Sequence, residues 1–252
     1  MDLGLKGKKA LITGSTKGIG RAIANRLAME CADVAICARH GVEVTEAVAN
    51  LKDMGVNATG ASVDVADEAN LKGWINSAAK ELGGLDIVVP NVSAMAGNEK
   101  EDWRNAFEID IMGTINTIDA ALPYLEKSDA GSVVAINSVA ALQFFGGVRS
   151  YGTMKAALIN HLSNLAHAYA PKGIRFNSVS PGTVYFEGGV WHTRQREMPE
   201  AYEFALGFNP MGRMGTPEEV ANATVFLASP MASFISGTNL LVDGAATPSV
   251  QY

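Results

Sequence analysis

Apolar and polar positions follow two different patterns along this chain. Short unbroken apolar runs predict buried strands, and longer segments with apolar positions three or four apart predict amphipathic helices. The two kinds of segment follow one another almost from the first residue. Strands are predicted at 9–13, 33–37, 58–63, 85–89, 132–136, 174–179 and 239–242. Helices are predicted at 19–29, 42–54, 68–80, 100–126, 150–170 and 217–228, with breaks in the fourth near Gly113 and at Pro123.

This alternation predicts the fold class. Short apolar strands that are separated by helices form right-handed crossovers, so they build a doubly wound parallel sheet of about seven strands with helices on both faces. No repeat, linker or low-complexity tract interrupts the pattern, and residues 1–252 are therefore predicted to form a single α/β domain. The irregular stretch 182–215, rich in aromatic residues, is predicted to be a helical lid over the substrate.

Composition narrows the classes of partner. A hydrophobic content of 48% is enough for a large core, and a net charge of −6 without a basic cluster excludes nucleic acid and anionic membranes. No apolar run approaches ~18 residues, which indicates a cytoplasmic protein without a membrane span. Cys31 and Cys37 lie in apolar segments, so we expect reduced core thiols and no metal site.

A glycine-rich turn joins the first predicted strand to the first helix. Glycine lets the backbone approach a pyrophosphate, and the helix N-terminus favours its negative charge. Glycines in a turn are weak evidence alone, because left-handed turn positions also need them, but the strand–turn–helix context favours dinucleotide binding. The predicted cofactor-binding residues of the turn are Gly14, Ser15, Thr16, Lys17, Gly18, Ile19 and Gly20.

Two cations indicate which dinucleotide binds. Arg39 follows the second strand, where an NAD site normally has an acid, and Lys17 lies in the turn. Together they favour the 2′-phosphate of NADP(H), unless Arg39 is only a solvated loop residue. Asp64 either meets the adenine amino group or caps the next helix. Asn91 ends the fourth strand, at the edge of the sheet where ligands bind.

The residues that could move a proton lie further along. Ser138 follows the fifth strand, and Tyr151 and Lys155 are spaced to share one helix face. A tyrosine titrates near ~10, and an adjacent ammonium lowers its pKa, which we expect to fall toward ~7 here. The serine would hold a carbonyl oxygen while the tyrosine supplies or removes its proton. On its own, the tyrosine–lysine pair is a common helix-surface pair.

With these motifs in their order, the chain resembles the short-chain dehydrogenase/reductase family over essentially its whole length. The matching elements are 13–20, Asp64-Val65, 85–88, Ser138, Tyr151-x-x-x-Lys155, 173–182 and the closing 236–244. The resemblance implies a Rossmann-type fold, hydride transfer between a nicotinamide and a carbonyl or secondary alcohol, and a homotetramer. It also implies that Lys155 binds the nicotinamide ribose, and that Val65, Pro181, Gly182 and Val184 contact the cofactor.

Three positions depart from the family pattern. Pro90-Asn91-Val92-Ser93 replaces the usual asparagine–asparagine–alanine–glycine after the fourth strand. Phe186 stands where a threonine usually meets the carboxamide. Asp110 occupies the position of the fourth catalytic residue, an asparagine that holds a water in a proton relay. An aspartate could hold this water and would add a charge.

Aromatic residues suggest the substrate. We expect an apolar or aromatic ketone or alcohol against Phe144 and Trp191, with Phe145, Met95, Phe186, Tyr202, Phe204 and Phe208 as further candidate walls. His192, Arg194 and Arg196 leave an anionic group open. Alternative functions are a 3-ketoacyl-thioester reductase and a non-catalytic cofactor-binding protein on the same fold.

Overall fold

A parallel sheet of seven strands forms the centre of the molecule in the computed structural model, which describes residues 2–95, 97–144 and 149–248. The strands are β1 (Lys9–Thr13), β2 (Asp33–Ala38), β3 (Ala58–Ser62), β4 (Ile87–Val89), β5 (Ser132–Ile136), β6 (Arg175–Pro181) and β7 (Asn239–Val242). Their spatial order is β3-β2-β1-β4-β5-β6-β7. The order reverses between β1 and β4, and a crevice opens at the carboxyl ends of strands at such a point.

The helices cover both faces of this sheet. They are α1 (Gly18–Met29), α2 (Gly41–Asp53), α3 (Glu68–Leu82), α4 (Lys100–Ala106), α5 (Gly113–Leu125), α6 (Ser150–Tyr169), α7 (Val190–Glu197), α8 (Pro199–Gly207) and α9 (Pro217–Ala228). A π-helical turn, Phe107–Met112, joins α4 to α5, and α7 and α8 lie in the stretch 182–215. The predicted Rossmann-type architecture is confirmed.

Two hydrophobic clusters form the core, one on each face of the sheet. Successive strand residues point to opposite faces. In β1, Ala10 and Ile12 join the cluster with α1, α2 and α9, whereas Leu11 joins the cluster with α3, α5 and α6. Strands that are buried on both faces read as continuous apolar runs, and this is why their positions could be read from the sequence.

Two local expectations were wrong. Pro123 does not break the fourth helical segment: α5 continues to Leu125, because a proline in the last turn costs one backbone hydrogen bond that packing of the helix outweighs. Cys31 is not a core thiol, since it lies exposed in the turn after α1 with φ of 61°. Cys37 is buried in β2 as expected.

A buried arginine closes the C-terminal end of α9. Arg175 begins β6, and its Nη1 donates to the Leu227 oxygen at 2.6 Å and to the Ile235 oxygen at 3.4 Å. Its Nη2 donates to the Ala228 and Ser229 oxygens, each at 3.1 Å. The Leu227 and Ala228 carbonyls have no partner within the helix, whereas the Ser229 oxygen also accepts from the Ala232 N–H and the Ile235 oxygen from Asn177 Nδ2. A cation at a helix C-terminus is favourable.

Arg175→Met is therefore expected to lower the free energy of unfolding by roughly 3 kcal/mol, because it leaves the Leu227 and Ala228 carbonyls without a donor. Urea denaturation followed by circular dichroism measures this change. Arg104→Met is the control: Arg104 is exposed and, among the residues that the structure describes, forms an ion pair only with Glu101, so its loss is expected to cost about 0.5 kcal/mol or less. Equal losses in the two variants would contradict the capping role.

Candidate active site

The glycine-rich turn is held by close packing between β1, α1 and β4. Gly14 and Gly18 have φ of 64° and 56°, which a residue with a side chain rarely adopts. At Gly20 a Cβ would collide with the Gly14 oxygen and lie 2.5 Å from Asn91 Nδ2. Asn91 Nδ2 donates to the Thr13 oxygen at 3.0 Å and to the Gly14 oxygen at 2.9 Å. Asn91 thus fixes the turn at the edge of the sheet.

A cleft of about 700 Å³ opens beside this turn. This volume lies within the range of small-molecule and cofactor sites, roughly 300–1,000 Å³. The predicted cofactor residues that line the cleft are Gly14, Thr16, Lys17, Gly18, Ile19, Gly20, Arg39, Asp64, Val65 and Asn91. Gly14, Gly18 and Gly20 line this cleft at the N-terminus of α1, and a helix N-terminus favours an anionic group, so these residues fit a dinucleotide.

Ser15 does not face the cleft with the rest of the turn. Its side chain is fully buried, and its hydroxyl donates to the Ile12 oxygen at 2.8 Å. Its backbone N–H donates to the Cys37 oxygen at 3.1 Å. Both polar groups therefore have partners inside the protein, where Ser15 supports the turn, and its contact with a cofactor stays a prediction.

One end of the cleft carries the two predicted cations. Lys17 and Arg39 are exposed, and neither forms an ion pair with a carboxylate in the described part of the chain. The sequence analysis missed Glu43, which lies in the first turn of α2 and accepts a hydrogen bond from Thr16 Oγ1 at 2.9 Å. Its carboxylate is the first acid after Arg39 in the sequence, which is the one signal that could have drawn attention to it.

Asp64 does not cap α3, which was one of the two roles that the sequence allowed for it. The N-cap of α3 is Asp67, whose side chain accepts from the Asn70 N–H at 3.0 Å. Asp64 is exposed, lines the cleft, and accepts only from the Ala66 N–H at 3.0 Å in the described structure. It remains available to a ligand.

Phe186 lies where the family pattern has a threonine, and it lines the cleft. A Cβ on Gly18 would meet the ring at 2.6 Å, and a Cβ on Gly189 would meet it at 2.8 Å. The ring thus rests between two glycines, one in the turn and one before α7. It cannot form the hydrogen bond that a threonine hydroxyl makes.

Ser138, Tyr151 and Lys155 lie together beside the end of β5. Lys155 is 2% exposed, and its Nζ donates to the Ile136 oxygen at 3.0 Å. The same Nζ lies 5.9 Å from the centre of the Tyr151 ring. Ser138 Oγ accepts from the Ala140 N–H at 3.1 Å and forms a hydrogen bond with the Tyr151 side chain. The helix spacing and the strand end therefore bring these side chains together as predicted.

The expected lowering of the Tyr151 pKa toward neutrality is wrong for the cofactor-free protein. Burial raises the pKa of Tyr151 to about 12, the hydrogen bond with Ser138 opposes this rise, and the negative charge of Asp110 adds to it. Burial lowers the pKa of Lys155, and Asp110 opposes that change. An adjacent ammonium alone would lower the tyrosine pKa, but desolvation of the phenolate is the larger effect here.

Asp110 joins this cluster from the π-helical turn. Its side chain is fully buried, and Oδ1 lies 3.2 Å from Lys155 Nζ. Its Oδ2 accepts from the Ala94 N–H at 3.0 Å, in the loop after β4. The turn ends at Gly113, where a Cβ would meet Val65 Cγ2 at 3.0 Å. Isolated π-helical turns occur often at functional sites.

The remaining predicted cofactor residues lie at the end of β6 and directly after it. Pro181 is buried at the end of β6, and Gly182 packs so closely on Asp243 that a Cβ would lie 2.9 Å from its Cβ. Val184 is buried in the core with α1 and α9. None of these three lines the 700 Å³ cleft.

The aromatic residues divide into a buried and an exposed group. Trp191 is 8% exposed and packs with Ala205 and Met214, and the Arg194 guanidinium lies 4.8 Å from its ring centre. Phe144 is 78% exposed, and Phe204 and Phe208 pack on each other at 4.9 Å. Met95 lines the cleft. Phe145 lies outside the described residues.

Neither a metal centre nor a membrane span is present in the described ranges. No three His, Cys, Asp or Glu side chains there are grouped to hold a metal ion. Within the same ranges no helix combines the length and the apolar character that crossing a membrane requires.

Comparison with known proteins identifies the family. The family model described as enoyl-(acyl carrier protein) reductase matches residues 14–247. Isoepoxydon dehydrogenase patN of Penicillium expansum is 41% identical over 257 residues, covering 100% of this chain and 99% of that protein. Dehydrogenase/reductase SDR family member 4 of Mus musculus is 36% identical, covering 97% of this chain and 88% of that protein.

Solved structures agree with this result. L-Sorbose reductase from Gluconobacter frateurii, complexed with NADPH and L-sorbose, superimposes with a TM-score of 0.90 at 29% identity, covering 99% of this chain and 100% of that one. Fold and cleft define a nicotinamide-binding oxidoreductase. The chain belongs to the short-chain dehydrogenase/reductase family, whose members act on alcohol and carbonyl groups.

Proposed function

We propose that this protein is an NADP(H)-dependent oxidoreductase for the carbonyl or secondary alcohol group of an apolar or aromatic small molecule. The observation that carries the proposal is the cluster of Ser138, Tyr151 and Lys155, with Tyr151 hydrogen-bonded to Ser138 and Lys155 Nζ 5.9 Å from the Tyr151 ring. A binding protein has no need of a half-buried tyrosine beside a buried ammonium.

Each member of the cluster has one role in this proposal. Ser138 orients the substrate oxygen, and Tyr151 gives that oxygen its proton in reduction or takes it in oxidation. A Tyr151 pKa of about 12 keeps the phenol protonated at neutral pH, which suits donation. Lys155 holds the nicotinamide ribose with the ammonium hydrogen that the Ile136 oxygen and Asp110 leave free. The nicotinamide, when bound, supplies or accepts the hydride.

Charge at the cleft supports NADP(H) over NAD(H). Lys17 and Arg39 line the cleft without carboxylate partners in the described structure, so a 2′-phosphate would find two available cations. Glu43 lines the same cleft, and its carboxylate already accepts from Thr16. The expectations of a cytoplasmic protein, a single domain and a homotetramer stay predictions.

The substrate class rests on the lid. Its aromatic side chains include Trp191 and the Phe204–Phe208 pair, which favour an apolar or aromatic group. The relatives named above include enzymes that are named for isoepoxydon and L-sorbose. A 3-ketoacyl thioester is the alternative substrate, because the matching family model is named for an enzyme of acyl carrier protein substrates.

A panel of substrates with both cofactors tests the function. Purified protein is assayed with uncharged aromatic and aliphatic ketones, with a 3-ketoacyl thioester and with 2-keto acids, each with NADPH and with NADH. We expect the largest kcat/KM with an uncharged ketone and NADPH. A higher value for the thioester would move the assignment to ketoacyl reduction. Cofactor binding without turnover of any compound would make the protein a non-catalytic binder.

A further inference from the structure

A carboxylate that no water can reach lies under the catalytic cluster. Asp110 has no exposed side-chain surface and sits in the π-helical turn between α4 and α5. Burying an ionised group is unfavourable unless a partner compensates the lost hydration. The partners of Asp110 therefore decide what the residue does.

Two elements supply those partners. The Ala94 N–H, in the loop after β4, donates to Oδ2 at 3.0 Å. The Lys155 ammonium, on α6, lies 3.2 Å from Oδ1, and Oδ1 has no hydrogen bond with any other described group. The lysine and aspartate side chains are 3% and 0% exposed. This is a sealed ion pair that connects three parts of the site.

We propose that Asp110 is a positioning residue, which holds the Lys155 ammonium below Tyr151 and sets the pH at which Tyr151 exchanges its proton. The effect of Asp110 on catalysis rests on the proposed function. The tests below use the protein without substrate or cofactor, so the two proposals fail separately.

The charges around Tyr151 predict the direction in which Asp110 shifts the tyrosine pKa. The groups that act on Tyr151 are Ser138 beyond β5, Lys155 on its own helix and Asp110 on the π-helical turn. Asp110 cancels the ammonium and disfavours the phenolate, which raises the pKa of Tyr151. An asparagine at 110 would still accept from the Ala94 N–H but would carry no charge. The charge of residue 110, and not its shape, is therefore the quantity to test.

Ultraviolet titration of the phenolate in Asp110→Asn is the direct test. The titration of Tyr151 is obtained as the difference between each protein and the same protein with Tyr151→Phe. We expect the Tyr151 titration to move to lower pH by about one unit or more in Asp110→Asn. Asp119→Asn is the matched control, because Asp119 is exposed on α5 and the change in net charge is the same. Overlaying titrations of the parent and Asp110→Asn would overturn the proposal.

A second test of the ion pair measures stability against pH and does not depend on the Tyr151 titration. Lys155→Met leaves the Asp110 carboxylate buried without its cation, so the folded protein takes up a proton there that the unfolded chain does not hold. The urea midpoint of Lys155→Met is then expected to fall, relative to the parent, as pH rises from about 5 to 8. The double variant Lys155→Met/Asp110→Asn lacks this carboxylate and is expected to show no such fall. The same pH dependence in the single and double variants would overturn the ion pair.

Discussion

Tyr151→Phe is expected to reduce kcat by roughly 10²–10⁴-fold while NADPH still binds, because general acid–base catalysis typically contributes this much. The hydroxyl is the only part that the substitution removes, and the half-buried ring keeps its place near Lys155 Nζ. The measurement is steady-state kcat with the best substrate of the panel, together with NADPH affinity from cofactor fluorescence. A loss of rate with unchanged affinity would assign the effect to proton transfer.

Tyr169→Phe provides a matched control within the same helix. Tyr169 ends α6 and packs against Phe176 with ring centroids 5.6 Å apart, far along the helix from Tyr151. Its loss of a hydroxyl is expected to leave kcat unchanged. Near-parental kcat in Tyr151→Phe would contradict the proposed mechanism, since Ser138 and Lys155 would then catalyse without the phenol.

The direction of the Tyr151 pKa adds a pH expectation to this result. With a pKa of about 12, the fraction of phenolate grows with pH throughout the ordinary working range. Alcohol oxidation, which needs the phenolate as base, is therefore favoured by high pH, and carbonyl reduction, which needs the phenol, is not. Bound cofactor adds its own charges, so pH–rate profiles of the loaded enzyme report the set of coupled groups.

The strands could be predicted closely, and the reason is burial on both faces of the sheet. In β1 and β5 every position but Lys9 is buried, so the apolar run and the strand coincide. The helix ends were less exact, because caps and frayed turns carry weaker patterns than a buried run. The π-helical turn had no pattern of its own: a single extra residue in a helix leaves the apolar spacing around it almost unchanged.

The site could be predicted where side chains carry the chemistry. The spacing of Tyr151 and Lys155 and the place of Ser138 after β5 follow from helix and strand geometry, and the structure brings them together. The backbone partners could not be predicted, because the Ile136 oxygen and the Ala94 N–H are groups that every residue carries. Desolvation of Tyr151 also depends on the packed fold, and its pKa was predicted in the wrong direction for this reason.

Cofactor preference gives the second large effect. Arg39→Asp is expected to lower kcat/KM for NADPH by roughly 10–10²-fold, because a charge-assisted bond to a phosphate contributes ~1.5–3 kcal/mol and the new carboxylate also repels the phosphate. The value for NADH is expected to hold or rise, since an acid after β2 suits the hydroxyls of the ribose. Arg39 is exposed and its side chain has no described hydrogen bond, so folding is not expected to change.

Kinetics with both cofactors measure this preference, and the ratio of the two kcat/KM values removes differences in active protein. Arg104→Asp is the control for net charge: Arg104 is exposed on α4, pairs only with Glu101 and does not line the cleft. Lys17→Met is also expected to weaken NADPH binding. In the proposed site both cations would contact one phosphate, so the loss in the double variant should be smaller than the sum of the two single losses. Equal kcat/KM values for NADH and NADPH in the parent would contradict the preference for NADP(H). An Arg39→Asp variant with an unchanged ratio of the two kcat/KM values would show that Arg39 is a solvated loop residue and does not bind the 2′-phosphate.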